Sequence, residues 1–322
     1  MTLLSMLIAL IVERLAVRGR AWQLVTYLQP YLQFGSKSTV SGVRHQPYFM
    51  LLWWLLPAVV VALLIYSVQF WLFQLLLNTL VLLICIGSWH YRQCYKKFLN
   101  ACQRDDQQAA FLSMQHIRAA QGAAELSYGS QLIWLNFRYY AAVLFWYALF
   151  GAFGAIAYAC LRQLAEPVTY QPANADESAC AEVTGQPQDG VEVAPSEQLS
   201  PAADSVVETA GTLPLVESAR QWQQFAEDLL HWADWLPVRL FGLGLALVGD
   251  FSRTSAVLLQ HAGAVHLSAA QLLAELSQAA EPVPEELRNT QEAAVSAVAL
   301  AKRNVLFFLA LVAVLTLSGW LN

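Results

Sequence analysis

The residues of this sequence best placed to do chemistry are charges and amides at the edges of apolar runs: Glu13-Arg14, Arg138 two positions after Asn136, and Asp234 with Arg239. Burying such groups beside hydrocarbon is costly, so they either reach back to an interface or face a partner, a cavity or a ligand. Glu13, Arg14 and Arg138 are open to both readings. Asp234-Trp235-Leu236-Pro237-Val238-Arg239 is the richest stretch, because two opposite charges, a proline and a tryptophan meet at the mouth of an apolar segment. A helix broken at Pro237 would free backbone N–H groups able to receive an anion, and an arginine would offset the burial of Asp234. The expectation is that Asn136, Arg138, Asp234 and Arg239 converge into one polar substrate- or ligand-binding site at the membrane boundary. The alternative is four side chains that snorkel separately.

Other chemistry finds less support. His90 and Cys94 lie four apart and can share a helix face, and His261 and His266 lie five apart in an Ala-rich helix. A zinc site needs three or four converging ligands. The five cysteines form no C-x-x-C pair, and their odd number argues against a disulfide framework. The sequence has no Gly-Lys dipeptide and hence no Walker-type phosphate loop, no H-E-x-x-H, no G-x-S-x-G and no G-x-G-x-x-G. Gly242-Leu243-Gly244, in an apolar segment, reads as close helix packing. The reading includes no metal, no cofactor and no nucleic acid.

What must position these residues is a set of membrane helices. Hydrophobic residues make up 57% of the chain and charged ones 13%, against ~45–50% and ~25% in soluble domains. The run His45–Tyr91 contains no Lys, Arg, Asp or Glu. It is too long for one crossing and most polar at Ser67-Val68-Gln69, so it reads as a helical hairpin, Tyr48–Tyr66 and Phe70–Trp89. Tyr139–Leu161 and Asn304–Leu321 are equally free of charge. Thr2–Val17 reads as an uncleaved first helix, with no basic start and no small-x-small cleavage site before Arg18. Trp235–Val248 is short and carries Arg239 after Pro237, which suits a re-entrant, interfacial or spanning element. The fold class expected is all-α: a polytopic helical membrane protein with about five spans, a broken or re-entrant element and a disordered acidic insertion.

That insertion divides the chain into a membrane part, 1–162, a linker, 163–219, and a second helical part, 220–322. The linker holds ten acidic residues and no Lys or Arg. Low hydrophobicity with charge of one sign cannot offset chain entropy, so it reads as a solvated linker or an interaction tail. In the second part, Gln221–Trp235 places Trp222, Phe225, Leu229 and Trp232 at helical spacing, Ser252–Ala280 reads as one helix, and a further helix restarts at Glu285. The basic loops Arg18–Arg44 and Arg92–Arg138 should be cytoplasmic, with the N-terminus outside. Lys302 and Arg303 favour a cytoplasmic start to the last span, which agrees with that count only if Trp235–Val248 crosses.

The opening MTLLSMLIALIVERL, the loop ACQRDD at Ala101–Asp106, the stretch LIWLNFRYYAAVLFWYALFGAFGAIAYACLR at Leu132–Arg162 and DWLPVRLFGLGLALVGDF at Asp234–Phe251 resemble the AmpE family. The resemblance implies a multi-pass inner-membrane sensor or modulator linked to β-lactamase induction and muropeptide recycling. Its implied partners are the bilayer and a muropeptide-type ligand or another membrane protein. It adds Asp105 and Asp106 to Glu13 and Arg14 as secondary candidates. The family is in turn similar to the cobalamin-pathway membrane synthetases, of the adenosylcobinamide-phosphate synthase type, which form an amide. Asn136 and Pro237-Val238-Arg239-Leu240 match their motifs, while Leu135 stands where they carry an acid and Arg162 with the insertion replaces their Asn-Thr-x-Asp-Ser stretch. This second resemblance implies the alternative, an enzyme forming amides with ATP. Carboxylates clustered around Asn136 and Arg239 would mark the enzyme, and an apolar pocket the modulator.

Overall fold

The protein is described from a computed structural model that covers residues 2–15, 28, 31, 47–86, 89–121, 126–165, 213–264 and 266–319. Most of the basic loop after the first helix and nearly all of the acidic insertion lie outside the described residues. Among the described residues there is no strand. The helices are α1 (Thr2–Leu15), α2 (Pro47–Ser67), α3 (Trp71–Cys85), α4 (Trp89–Gln103), α5 (Gln107–Gln121) and α6 (Tyr128–Asn136). A π-helical turn, Phe137–Ala141, leads into α7 (Ala142–Ala165), and then follow α8 (Leu213–Val248), α9 (Phe251–Gln260), α10 (Ala269–Ala280) and α11 (Gln291–Leu317).

Helices α1, α2, α3 and α7, with the second halves of α8 and α11, form an apolar layer. Its inner faces pack against one another: Met6 and Ala9 of α1, Leu82 of α3, Leu144 and Tyr147 of α7 and Leu245 of α8 are all fully buried in one cluster. Its outer faces are bare leucines and aromatics, Leu52, Leu63 and Trp71 on the α2–α3 hairpin and Leu306, Val314 and Leu317 on α11, each more than half exposed. An apolar outer surface of this extent suits hydrocarbon, not water. The chain is therefore a membrane protein. Helices α4, α5 and α6 and the first half of α11 share a second cluster that joins Phe98, Met114, Ile117, Leu132 and Ala294, while α9 and α10 pack on α8 and bring Leu272, Leu273 and Leu276 of α10 into the first cluster.

Among the described residues two helical stretches suffice by length and composition to cross a membrane, 128–165 and 291–317, and a third if α3 and α4, which meet at 52°, count as one bent span. The expected count of five is not confirmed among them. The described part of α1 is 14 residues long, ~21 Å against the ~30 Å of a hydrocarbon core. The expected span Phe70–Trp89 stops early, because Ile86 is already extended (φ −83°, ψ 142°).

The stretch 128–165 is not one straight rod. Arg162 Nη1 donates to the carbonyl of Arg138 at 3.1 Å, whereas 24 residues of straight helix would hold the two ~36 Å apart. The reversal falls at Gly151, whose φ of 62° and ψ of −147° suit glycine alone. A Cβ placed on Gly154 would lie 2.3 Å from the Trp146 carbonyl oxygen, so the arms cross closely only because small residues line the crossing. The run expected to be one span, Tyr139–Leu161, is thus a helical hairpin that advances ~20 Å from Arg138 and returns.

The chain does turn back on itself, then, but at Gly151 and not at Pro237. Pro237 lies inside α8, which continues for 36 residues from Leu213 to Val248. The Ala-rich run Ser252–Ala280 also differs from expectation: it is two helices, separated at residues 261–268 and restarted by Ser268, whose hydroxyl accepts the Gln271 N–H at 3.3 Å. His261 and His266 lie in that connection and not in a helix. Thr290 caps α11, accepting the Ala293 N–H.

Candidate functional site

A π turn is one residue wider than an α turn, so it offsets the side chains on either side of it and recurs at functional sites. Here Phe137–Ala141 carries two polar side chains into two separate clusters. Arg138 enters the first. It is 7% exposed and lies over the Trp134 ring at 5.7 Å, close enough to Asp234 for the two charges to act on each other. Asp234, 2% exposed, comes from α8 and accepts a hydrogen bond from the Tyr158 hydroxyl at 2.8 Å. Arg162, 5% exposed, comes from the return arm of α7. Its guanidinium stacks 4.0 Å from the Tyr139 ring and donates to the carbonyls of Arg138 and Cys85, while its Nε has no hydrogen-bond partner among the described residues. Asp234 is thus held directly by Tyr158, with the charges of Arg138 and Arg162 near enough to act on it inside an apolar layer. Buried charge of this kind must be paired and hydrogen-bonded to persist.

Tyr140, two residues on, enters the second cluster. Its hydroxyl donates to Glu13 Oε1 at 2.7 Å and accepts from Arg92 Nε at 3.0 Å, and Arg92 Nη2 pairs directly with the Glu13 carboxylate. Glu13 is buried at the end of α1, while the Arg92 side chain of α4 is 43% exposed. One acid meets one base at the edge of the layer.

The other expected site residues go elsewhere. The Arg239 guanidinium stacks on Trp235 at 4.1 Å and donates to the carbonyls of Trp235, His261, Ala262 and Ala264. It closes the C-terminal end of α9, where carbonyls lack helical partners, and does not join Asp234. Asn136 is half-buried and donates to the Leu132 carbonyl of its own helix at 3.5 Å. Arg14 is exposed. Asp105, in left-handed conformation (φ 55°), and Asp106, which accepts the Ala109 N–H at 3.0 Å, form the exposed turn that starts α5. His90 Nε2 lies 3.6 Å from Cys94 Sγ. Among the described residues no three His, Cys, Asp or Glu side chains gather at one point. Sequence reasoning missed Arg162, Tyr158, Tyr140 and Arg92 as site residues.

Beside the first cluster, α7, α8 and α11 leave a cavity of about 180 Å³ lined by apolar side chains and Asn304. Asn304 is fixed: its amide donates to the Phe241 carbonyl at 2.9 Å, and its Oδ1 sits where a Cβ on Gly244 would be.

These features define a class: an all-helical membrane protein whose ionisable groups are gathered between apolar helices at a π turn. The family model for the regulatory signalling modulator protein AmpE matches residues 1–180 and 216–322, and the chain belongs to that family. It is 30% identical to Protein AmpE of Shigella flexneri over 339 residues, with 99% of each chain covered. No solved structure matches it.

Proposed function

We propose that this chain is a multi-pass inner-membrane modulator of β-lactamase induction, linked to muropeptide recycling, and that the Arg138–Asp234–Arg162 cluster is the element through which it responds. One observation carries the reading. In a protein of a regulatory signalling family, a charged cluster ties together the π turn, the return arm of α7 and α8, three segments that a ligand or partner could shift only by breaking the buried hydrogen bonds from Arg162 to the Arg138 carbonyl and from Tyr158 to Asp234. Such an arrangement is held in discrete states and does not deform gradually. The apolar cavity next to it also supports a modulator over a synthetase, whose substrates are phosphorylated and polar. A muropeptide-type ligand or another membrane protein supplies the signal.

Asp234→Asn keeps the size of the side chain and removes the charge that faces Arg138. In a deletion strain complemented with this variant, β-lactamase induction should fail while the protein accumulates normally in the inner membrane. Normal induction would reduce the cluster to a structural role. Single cysteines near Lys37 and Lys96, in a cysteine-free background, should resist an impermeant thiol reagent in intact spheroplasts.

A further inference from the structure

We infer that the cavity between α7, α8 and α11 is a binding site for one hydrocarbon chain of a membrane phospholipid. The inference does not depend on the signalling reading. The walls are aromatic and aliphatic, with Phe145 from α7, Phe241 from α8 and Phe307 and Phe308 from α11. The lips are Leu240, Leu243, Leu247 and Leu311, each 40–52% exposed. They continue the bare apolar surface of α8 and α11, so the medium at the mouth is hydrocarbon. Water is a poor occupant, because apolar voids of ~150 Å³ stay dry and take up apolar ligands. The one polar group in the wall, Asn304, already donates to the Phe241 carbonyl. A protein helix, ~10 Å across, is too wide, whereas a single chain fits.

The site also touches the polar cluster. Ala141 and Pro237 line it, and each is one helical turn from Arg138 and Asp234 respectively.

The test uses the full chain in phosphatidylcholine bilayers doped with phosphatidylglycerol that carries a photoreactive diazirine on one acyl chain. Adducts should concentrate on peptides containing Phe145, Leu240–Leu247 and Phe307–Leu311. Ala141→Phe fills the crevice and should lower these adducts roughly tenfold, since several methylenes lose their burial. Should Ala141→Phe fail to fold, Leu243→Trp at the exposed lip blocks the same mouth. Leu311→Ala widens it and should raise the yield. Adducts spread evenly over the bare faces of α2 and α3, or unchanged in a folded blocking variant, overturn the site.

Discussion

The two polar clusters rooted in the π turn have similar chemistry and opposite settings. Around Tyr140, one acid and one base pair beside a hydroxyl, with the Arg92 side chain 43% exposed. Around Arg138, the charges of two arginines act on one aspartate that Tyr158 holds, and Arg138, Arg162 and Asp234 are all nearly excluded from the surface. A balanced pair at an edge can exchange partners with water and is worth little. An unbalanced group inside depends on every contact it has. The comparison teaches that burial and charge balance, more than the number of hydrogen bonds, decide which cluster the fold depends on.

The sharpest way to break the comparison is Asp234→Ala, which removes the buried acceptor of Tyr158 and the carboxylate whose charge offsets Arg138 and Arg162. The melting temperature in detergent should fall by an amount corresponding to ~3–5 kcal/mol, and a loss no larger than that of Glu13→Gln would show that Arg138 and Arg162 are compensated elsewhere. Next comes Gly151→Ala. It forces a Cβ onto a backbone suited only to glycine and should cost ~1–3 kcal/mol. Because it moves Arg162 and leaves Glu13 alone, its effect should be strongly non-additive with Asp234→Ala and additive with Glu13→Gln in thermal-shift cycles. Tyr140→Phe removes the hydroxyl that both Glu13 and Arg92 use and should cost ~1 kcal/mol. The smallest effect belongs to Arg14→Gln, one residue from Glu13 but exposed, which should stay within ~0.5 kcal/mol of the wild type.

The charges themselves were legible in the sequence, because an acid or base inside an apolar run is expensive wherever the run goes. Their partners were not. Glu13 and Arg92 are 79 residues apart, Tyr158 and Asp234 76, and nothing local in either segment encodes the pairing. Tyr140 and Tyr158 read as ordinary members of apolar helices. Arg162 stood out only as a departure from the synthetase motif.

Hydropathy misled most where it was strongest. Tyr139–Leu161 has the length and composition of a span, and only the small residues around Gly151 hint that it turns back. Pro237 carried the opposite signal and was overruled by packing: Val238, Phe241 and Leu245 hold α8 in register against the core. Arg239, read as half of a site, is used locally, because the end of α9 leaves carbonyls that its fork of donors can reach.

The π turn also limits how this chain can vary in length. Deleting one residue from Phe137–Ala141 would turn it into ordinary α-helix with apolar character and helical length almost unchanged. Everything before the deletion would nonetheless rotate by about 100° relative to everything after it. Arg138 and Tyr140 could not both keep their partners. Their joint use therefore resists single-residue insertions and deletions, in a segment where many apolar substitutions would pass.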